Sequence, residues 1–200
     1  MPKSQTLFRS APLPGWEEAR KVAALLVEAA TPRDGYTIDH ALAIAELSRR
    51  VGEEFALSAE VLEALALGAL LHDLGKLGVP EAILDKGGPL TQQEWEVMKR
   101  HPDMGARMIE QIWCLRRVAQ VIRHHHERYD GGGYPDGLEG EEIPLPARIV
   151  AAADAYDVMV RSRPYRERRS PTGAIGELLS GAGSHFDAGV VAVLRRVAAH

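Results

Sequence analysis

The chain has 200 residues, of which 46% are hydrophobic and 26% are charged, and its formal net charge is -4. Chains of this length usually fold as one domain with a hydrophobic core, and a small negative net charge gives no general attraction to DNA, RNA or anionic lipid. We therefore predict one domain whose partners include neither nucleic acid polymers nor a membrane. The single cysteine, Cys114, cannot form an internal disulfide, which favours a cytoplasmic location.

The chain begins with a segment that has no apolar periodicity. Three prolines and Gly15 interrupt residues 1–15, so this segment is predicted to be a loose tail or the remnant of a linker. Residues 16–200 then make up the folded domain. Its longest apolar run, 64–71, is far shorter than the ~18 residues or more that cross a bilayer.

Helical spacing of apolar residues recurs along the rest of the chain, and no alternating strand pattern of useful length appears. Ser58, Thr91 and Ser170 each precede such a segment and are expected to cap a helix. The predicted helices span 16–30, 37–52, 61–74, 81–84, a segment that opens at Thr91, 103–112, 115–126, a segment that opens at Pro146, 170–181, and a last segment that opens at Phe186-Asp187. The fold class is therefore all-α, with about eight to ten helices.

A histidine and an aspartate follow the most apolar of these segments. Residues 61–74 are apolar on nearly every helical face, which predicts a buried helix with His72 and Asp73 near its end. A buried, ionised Asp73 needs compensation, and a divalent cation supplies it. The alternative is a neutral core histidine beside an aspartate that caps the next turn, and the pair alone leaves both interpretations open.

Other imidazole and carboxylate groups lie in or beside apolar segments. With the pair they give seven candidate metal ligands: His40, His72, Asp73, His101, His125, His126 and Asp154. Imidazoles and carboxylates without thiolate suit Fe, Mn, Zn, Ni or Co, and more than four ligands suggests more than one ion. Their spacing alone does not establish that they converge. His101 precedes a proline and is expected at a helix break, and His124 is expected to be solvated or to stand behind the ligands.

Several motifs occur in an order that resembles one known family. They are His72-Asp73-Leu74-Gly75-Lys76, His101-Pro102, His125-His126-Glu127-Arg128, the glycine-rich Asp130-Gly131-Gly132-Gly133-Tyr134-Pro135, Ala153-Asp154-Ala155-Tyr156-Asp157 and Arg163-Pro164-Tyr165-Arg166. Together with Asp34-Gly35-Tyr36-Thr37 and His40 before them and Phe186-Asp187 after them, they cover about three quarters of the chain. In this order they resemble the HD-GYP family, cyclic di-GMP phosphodiesterases of the HD phosphohydrolase superfamily.

The resemblance implies a single HD-type helical bundle that holds two divalent transition-metal ions, with Asp73 between them. Fe or Mn is expected ahead of Zn, with Ni and Co as alternatives. The expected ligands are His40, His72 and Asp154 for one ion and His101, His125 and His126 for the other.

The count of two ions rests on Tyr36. Some members of the family carry a glutamate one helical turn before the first histidine, where it helps to hold a third ion, and Tyr36 occupies that position here. A neutral phenol offers no anionic oxygen at neutral pH and is a poor replacement. A binuclear site is therefore predicted.

The resemblance also implies that the substrate is cyclic di-GMP, which would be hydrolysed to linear pGpG and, on a second cut, to GMP. Asp73 and Lys76 are the expected catalytic residues. Lys76 is expected to bind the phosphate as a cation, and Asp157 is expected to pair with Lys76 from behind the site. The other expected substrate contacts are Arg163 and Arg166, which suit phosphate, and Tyr134. The tyrosine ring is expected either to stack on a guanine or to shape the loop for a partner.

Two other functions stay open at this point. One is another nucleotide phosphohydrolase of the HD type, and the other is a catalytically silent module that binds cyclic di-GMP or a protein. A diguanylate cyclase or a separate sensor or receiver protein is the expected protein partner, and a homodimer is left open. The complete ligand set and Lys76 favour an enzyme.

Overall fold

The structure, a computed structural model, describes residues 15–30, 38–161 and 169–199. Within these ranges the chain forms ten α-helices and no β-sheet, which confirms the predicted all-α class. The helices are α1 Trp16–Ala30, α2 Ile38–Glu54, α3 Ala59–Leu71, α4 Glu81–Leu84, α5 Gln92–Met98, α6 His101–Glu110, α7 Ala119–His124, α8 Leu145–Val160, α9 Pro171–Ser180 and α10 Ala188–Ala198. None of the helices in these ranges is both long and apolar enough to cross a lipid bilayer. Residues 1–14 of the predicted tail lie outside the described residues.

Several helices begin where the sequence predicts a cap. Ser58 accepts a hydrogen bond from the backbone N–H of Val61 at 3.4 Å, which starts α3. Thr91 and Glu94 form a reciprocal capping box at the start of α5, and Asp187 caps α10 through N–H groups of its first turn. These side chains satisfy N–H groups that have no partner inside the helix. They therefore set where each helix starts and, for α3, which residues reach its buried end.

The central helix is α3. It contacts α1, α2, α7 and α8, and Leu65, Leu67 and Leu71 are fully buried there. Gly68 allows α7 to come close, because a Cβ at this position would lie 2.5 Å from Cβ of Val121. Burial of each leucine side chain contributes about 1.5–3 kcal/mol, so this helix makes a large contribution to the core. The residues that follow Leu71 are thereby delivered into the protein interior.

The segment predicted as one helix over 115–126 divides in two. It forms a 3-10 helix, Arg116–Val118, and then α7, which ends at His124. The carbonyl of Ile122 accepts from Nδ1 of His125 at 2.6 Å, so this carbonyl is taken up by a side chain rather than by the next helical turn. The helix therefore stops before the adjacent histidines that are predicted as ligands.

The chain after α3 passes very close to α6. The α-helix ends earlier than predicted, and the chain continues as a 3-10 helix, Leu74–Gly78. At Gly75 in this turn, a Cβ would lie 1.8 Å from the carbonyl oxygen of His101 and 2.5 Å from the backbone nitrogen of Gly105. Only a glycine fits this contact. It holds the residues after α3 against the first turn of α6.

Replacing Gly75 with alanine is expected to destabilise the protein, because the new methyl group would overlap the backbone of α6. Overpacking of this kind costs about 1–3 kcal/mol, which corresponds to a melting temperature roughly 2–12 °C lower for a domain of this size. Thermal unfolding followed by circular dichroism measures the change. Gly88→Ala is the matched control, since nothing lies within 4 Å of a Cβ at that position. Equal melting temperatures for the two variants would contradict this account of the contact.

Candidate metal centre

The predicted ligands, which are far apart in the sequence, come together at the end of α3. His40 lies in the first turn of α2, and His101 is the first residue of α6, at the predicted helix break. The ring centroids of His72 and His125 are 5.1 Å apart, and those of His101 and His126 are 5.0 Å apart. Most of these groups therefore come from helix ends that meet in the interior.

Asp73 stands between two groups of histidines. Its Oδ2 lies 3.3 Å from Nε2 of His72, and its Oδ1 lies 3.3 Å from Nε2 of His101. Both distances are longer than an ordinary N–H···O hydrogen bond of about 2.9 Å. They match the separation of about 3.4 Å between two ligand atoms that bind the same tetrahedral ion through bonds of about 2.1 Å. Within each of two groups the candidate ligand atoms lie within 4.8 Å of one another, and Asp73 belongs to both: Asp73, His101, His125 and His126, and His40, His72 and Asp73.

The orientation of two buried rings is fixed by their Nδ1 atoms. Nδ1 of His101 donates to the carbonyl of Met98 at 2.8 Å, and Nδ1 of His125 donates to the carbonyl of Ile122 at 2.6 Å. A carbonyl oxygen only accepts, so the ring proton is on Nδ1 and Nε2 carries the lone pair. Among the described residues, these two buried Nε2 atoms have no hydrogen-bond partner. Such a donor set fits a divalent transition-metal ion.

His40 completes the other group and has two carboxylate neighbours. Its Nε2 lies 3.4 Å from Oδ1 of Asp154, and its Nδ1 donates to Oδ2 of Asp157 at 2.6 Å. Asp157 also contacts the guanidinium group of Arg161. The pairing of Asp157 with Lys76 stays a prediction. In the structure Asp157 lies behind His40. It orients that ring, which is a common arrangement of a carboxylate behind a metal-ligating histidine.

Lys76 places a cation at the rim of the centre. Its Nζ lies 2.9 Å from Oδ2 of Asp73, and its side chain is 25% exposed. Burial alone would raise the pKa of Asp73, but Lys76, His72 and His101 hold that pKa well below its ordinary value. Asp73 is therefore an anion at neutral pH, which is the charge state that a metal ligand needs.

The two groups differ in their affinity for protons. Burial, with His101 nearby, lowers the pKa of His126 to about 3, and burial together with His126 lowers the pKa of His125 well below its ordinary value. Burial also acts to lower the pKa of His40, but its carboxylate partners Asp154 and Asp157 outweigh this effect and raise the pKa to about 9. In the metal-free protein at pH 7, His125 and His126 are therefore neutral and can accept a cation, whereas His40 carries a proton.

A glycine-rich loop, residues 128–139, lies beside the centre. Glu127 holds this loop, because its Oε1 accepts from two backbone N–H groups of the loop at 2.7 and 3.1 Å. The ring of Tyr134 lies 5.0 Å from that of His126, and the ring of Trp95 in α5 lies 6.3 Å from that of Tyr134. Sequence reasoning assigned no role to Glu127 or Trp95. Glu127 could have been found from the sequence, because it directly follows the adjacent histidines. Nothing in the sequence distinguished Trp95 from other apolar helix positions.

Some predicted site residues lie outside the described residues. These are Arg163 and Arg166, predicted to bind phosphate, and Tyr36, on which the count of two ions rests. His124 is described and lies outside the two ligand groups around Asp73. It is only 6% exposed, so the alternative of a solvated side chain is wrong.

A family model for the HD domain matches residues 16–190. The chain belongs to the HD domain family. It is 40% identical over 182 residues to the cyclic di-GMP phosphodiesterase response regulator RpfG of Xanthomonas campestris pv. campestris, a match that covers 90% of this chain and 48% of that protein. It is 38% identical over 152 residues to 3'3'-cGAMP-specific phosphodiesterase 1 of Vibrio cholerae, covering 76% of this chain and 35% of that protein. These relatives confirm the family that the sequence motifs predicted.

A solved structure shares the fold. Bd1817, an HDG"Y"P protein from Bdellovibrio bacteriovorus, matches with a TM-score of 0.67 and 23% identity, over 87% of this HD domain and 57% of that chain. The chain spans about half or less of the length of the curated relatives, 48% and 35% in the two cases above. Their names therefore describe longer proteins.

Metal binding by this HD domain is expected to strengthen as the pH rises from about 6 to 9, because an ion that binds His40 must displace a proton. The pKa of His40 is raised to about 9, so this displacement becomes easier as the pH approaches that value from below. Calorimetric titration of the metal-free protein with Mn²⁺ in buffers of different ionisation enthalpy measures the protons released. In Asp157→Asn the pKa of His40 should fall, and fewer protons should be released per ion. Binding at pH 7 without proton release would contradict this prediction.

Proposed function

We propose that this HD domain is a metal-dependent phosphodiesterase of cyclic dinucleotides, with cyclic di-GMP as its substrate and linear pGpG, then GMP, as products. The observation that carries the proposal is the carboxylate of Asp73. Its two oxygens each lie 3.3 Å from a histidine Nε2, and those histidines, His72 and His101, belong to different ligand groups. Two ions held close together suit an in-line displacement at phosphorus.

The proposed ligands are all imidazoles and carboxylates, which favours Fe or Mn, with Zn, Ni and Co as alternatives. When bound, two such ions supply a nucleophilic water at neutral pH and neutralise negative charge on the phosphoryl group. The residues proposed to hold them are His40, His72 and Asp154 on one side, His101, His125 and His126 on the other, and Asp73 between them.

The residues around the centre are proposed to bind and orient the phosphate. Lys76 brings a positive charge to the rim next to Asp73, so a phosphodiester that approaches the centre meets a cation. Arg163 and Arg166, which lie outside the described residues, are proposed by family resemblance to hold the phosphates through their planar guanidinium groups. Asp157 supports the site indirectly, since it orients His40.

The relatives support a cyclic dinucleotide as the substrate class. One is named for cyclic di-GMP and the other for 3'3'-cGAMP, so cyclic di-GMP is our first candidate and 3'3'-cGAMP the second. Both ligands carry two purine rings, and a purine stacks well on an aromatic side chain. Tyr134 and the 42% exposed Trp95 are proposed to receive a base beside the centre. A diguanylate cyclase or a separate sensor or receiver protein remains the proposed protein partner.

The purified domain, loaded anaerobically with Fe²⁺ or Mn²⁺, is expected to convert cyclic di-GMP to pGpG, which chromatography of the products measures. Asp73→Ala should lose at least half of the bound metal and lower kcat by at least about 100-fold, because this residue contacts both groups of ligands. The same assay with 3'3'-cGAMP ranks the two substrates.

Two results would count against this function. Lack of product from both dinucleotides with either metal would exclude the phosphodiesterase. Tight binding of cyclic di-GMP without turnover, together with partner binding that Asp73→Ala leaves unchanged, would favour the silent binding module.

Lys76→Ala is expected to lower kcat/KM by about 10-fold to 100-fold while the metal content stays unchanged. A charged hydrogen bond is worth about 1.5–3 kcal/mol, and an ammonium group does not ligate metal. Lys99→Ala is the matched control, since Lys99 pairs with Glu96 on the surface. Loss of metal from Lys76→Ala would show that its assigned role is wrong.

Trp95→Ala is expected to raise KM for cyclic di-GMP by about 5-fold to 150-fold, since stacking of one base contributes about 1–3 kcal/mol. Hydrolysis of methyl p-nitrophenyl phosphate, a diester without purines, should not change, and Trp95→Phe should restore most of the affinity. Trp113→Ala is the control, because Trp113 is 68% exposed on a different surface beside Trp16 and Glu60. Equal effects of Trp95→Ala on both diesters would argue against base stacking.

A further inference from the structure

The two ligand groups that share Asp73 are called the Asp73 centre below. A second cluster of candidate metal ligands lies next to this centre and includes none of its residues. It consists of His124 at the end of α7, Glu127, and Asp136 in the loop 128–139, with one ligand atom of each within 4.8 Å of the others. Nδ1 of His124 lies 3.6 Å from Oδ2 of Asp136 and 3.8 Å from Oε1 of Glu127. The proposed phosphodiesterase reaction uses none of these three groups.

The spacing within this cluster suits ligands of one ion better than hydrogen-bond partners. An N–H···O bond is about 2.7–3.2 Å long, so the two distances from Nδ1 of His124 are too long. An ion with four ligands at about 2.1 Å keeps neighbouring ligand atoms about 3.4 Å apart. Small adjustments of the side chains would bring all three groups onto one cation, as at the Asp73 centre.

The cluster also contains buried atoms that lack a partner. His124 is 6% exposed and Glu127 is 3% exposed. In the part of the chain that the structure describes, Nδ1 of His124 and Oε2 of Glu127 make no hydrogen bond. On the other side of the ring, Nε2 of His124 lies 3.1 Å from Oε1 of Gln120. When the N–H of Nε2 donates to that oxygen, the lone pair of Nδ1 faces the two carboxylates, an arrangement that a cation stabilises.

The charges around the cluster leave room for a cation. The two oxygens of Asp136 accept from Arg123, each at 2.8 Å. Arg123 also contacts Asp103, and Asp103 in turn pairs with Arg107. With the buried Glu127, the groups named here comprise three carboxylates and two guanidinium groups. One negative charge is left in excess beside the unpartnered ring nitrogen.

We propose that His124, Glu127 and Asp136 form a binding site for one divalent transition-metal ion, of which Zn²⁺ is the best match to this ligand set. Oε1 of Glu127 already accepts from the backbone N–H of Asp136 at 2.7 Å and of Gly137 at 3.1 Å. An ion at this place fastens the end of α7 to the loop 128–139. Its function is structural, since it fixes the loop that carries the aromatic side chain beside the Asp73 centre.

Counting the zinc bound to the whole chain tests the site. Metal-free protein is incubated with Zn²⁺, desalted and examined by elemental analysis, for the wild type, His124→Gln and Asp136→Asn. The control is His185→Gln, whose exposed ring stacks on Phe186. The wild type and the control should retain one more zinc per chain than either cluster variant. Equal zinc content in all four proteins would overturn the proposal, whether or not the protein hydrolyses cyclic dinucleotides.

Trypsin cleavage after Arg128 supplies a second measurement, because Arg128 lies at the start of the fastened loop. Trypsin cleaves this bond only when the loop 128–139 opens locally. Zinc at ten times its dissociation constant should reduce the population of the open loop, and so the rate of cleavage, about tenfold in the wild type. In Asp136→Asn, which keeps the Asp73 centre, zinc should give no such protection. Equal protection in both proteins would assign the effect to the Asp73 centre and contradict the proposed site. Equal melting temperatures in EDTA show that the variant is folded.

Discussion

The arrangement of this HD domain depends on one buried anion, the carboxylate of Asp73. Its side chain is 10% exposed, and an isolated carboxylate in such surroundings would cost several kcal/mol or take up a proton. Burial acts in that direction, yet Lys76, His72 and His101 hold the pKa of Asp73 well below its ordinary value. The helices around α3 are therefore arranged to bring positive charge and ring nitrogens to a single carboxylate, and a pair of divalent ions would complete that compensation.

The same kind of hydrogen bond, from ring Nδ1 to a backbone carbonyl, orients three of the histidines around this anion. Nδ1 of each ring lies 2.6 to 2.8 Å from the carbonyl of the residue three positions earlier: His72 with Ala69, His101 with Met98 and His125 with Ile122. Each carbonyl belongs to the last turn of a helix, where carbonyl groups lack a partner inside the helix. Each ring thus satisfies a carbonyl at the end of the preceding helix, and the lone pair of its Nε2 is directed toward the Asp73 centre. His40 lies inside α2 and uses the carboxylate of Asp157 instead.

The local features of the fold could be predicted because short stretches of sequence carry them. The caps at Ser58 and Thr91 and the short helix Glu81–Leu84 follow from neighbouring residues. Convergence of the ligands depends on how five helices pack, so residue spacing left it open and only the order of family motifs predicted it. The partner of Asp157 and the burial of His124 depend on packing between distant segments. Apolar periodicity carries no information on either.

Anomalous diffraction at the Fe and Mn edges, from crystals of the metal-loaded protein, tests the central claim most directly. The account predicts two strong peaks that flank the carboxylate of Asp73. One should lie against His40 and His72, and the other against His101 and its neighbouring histidines. A single peak on one side of Asp73, or a further strong peak beside Tyr36, would contradict it.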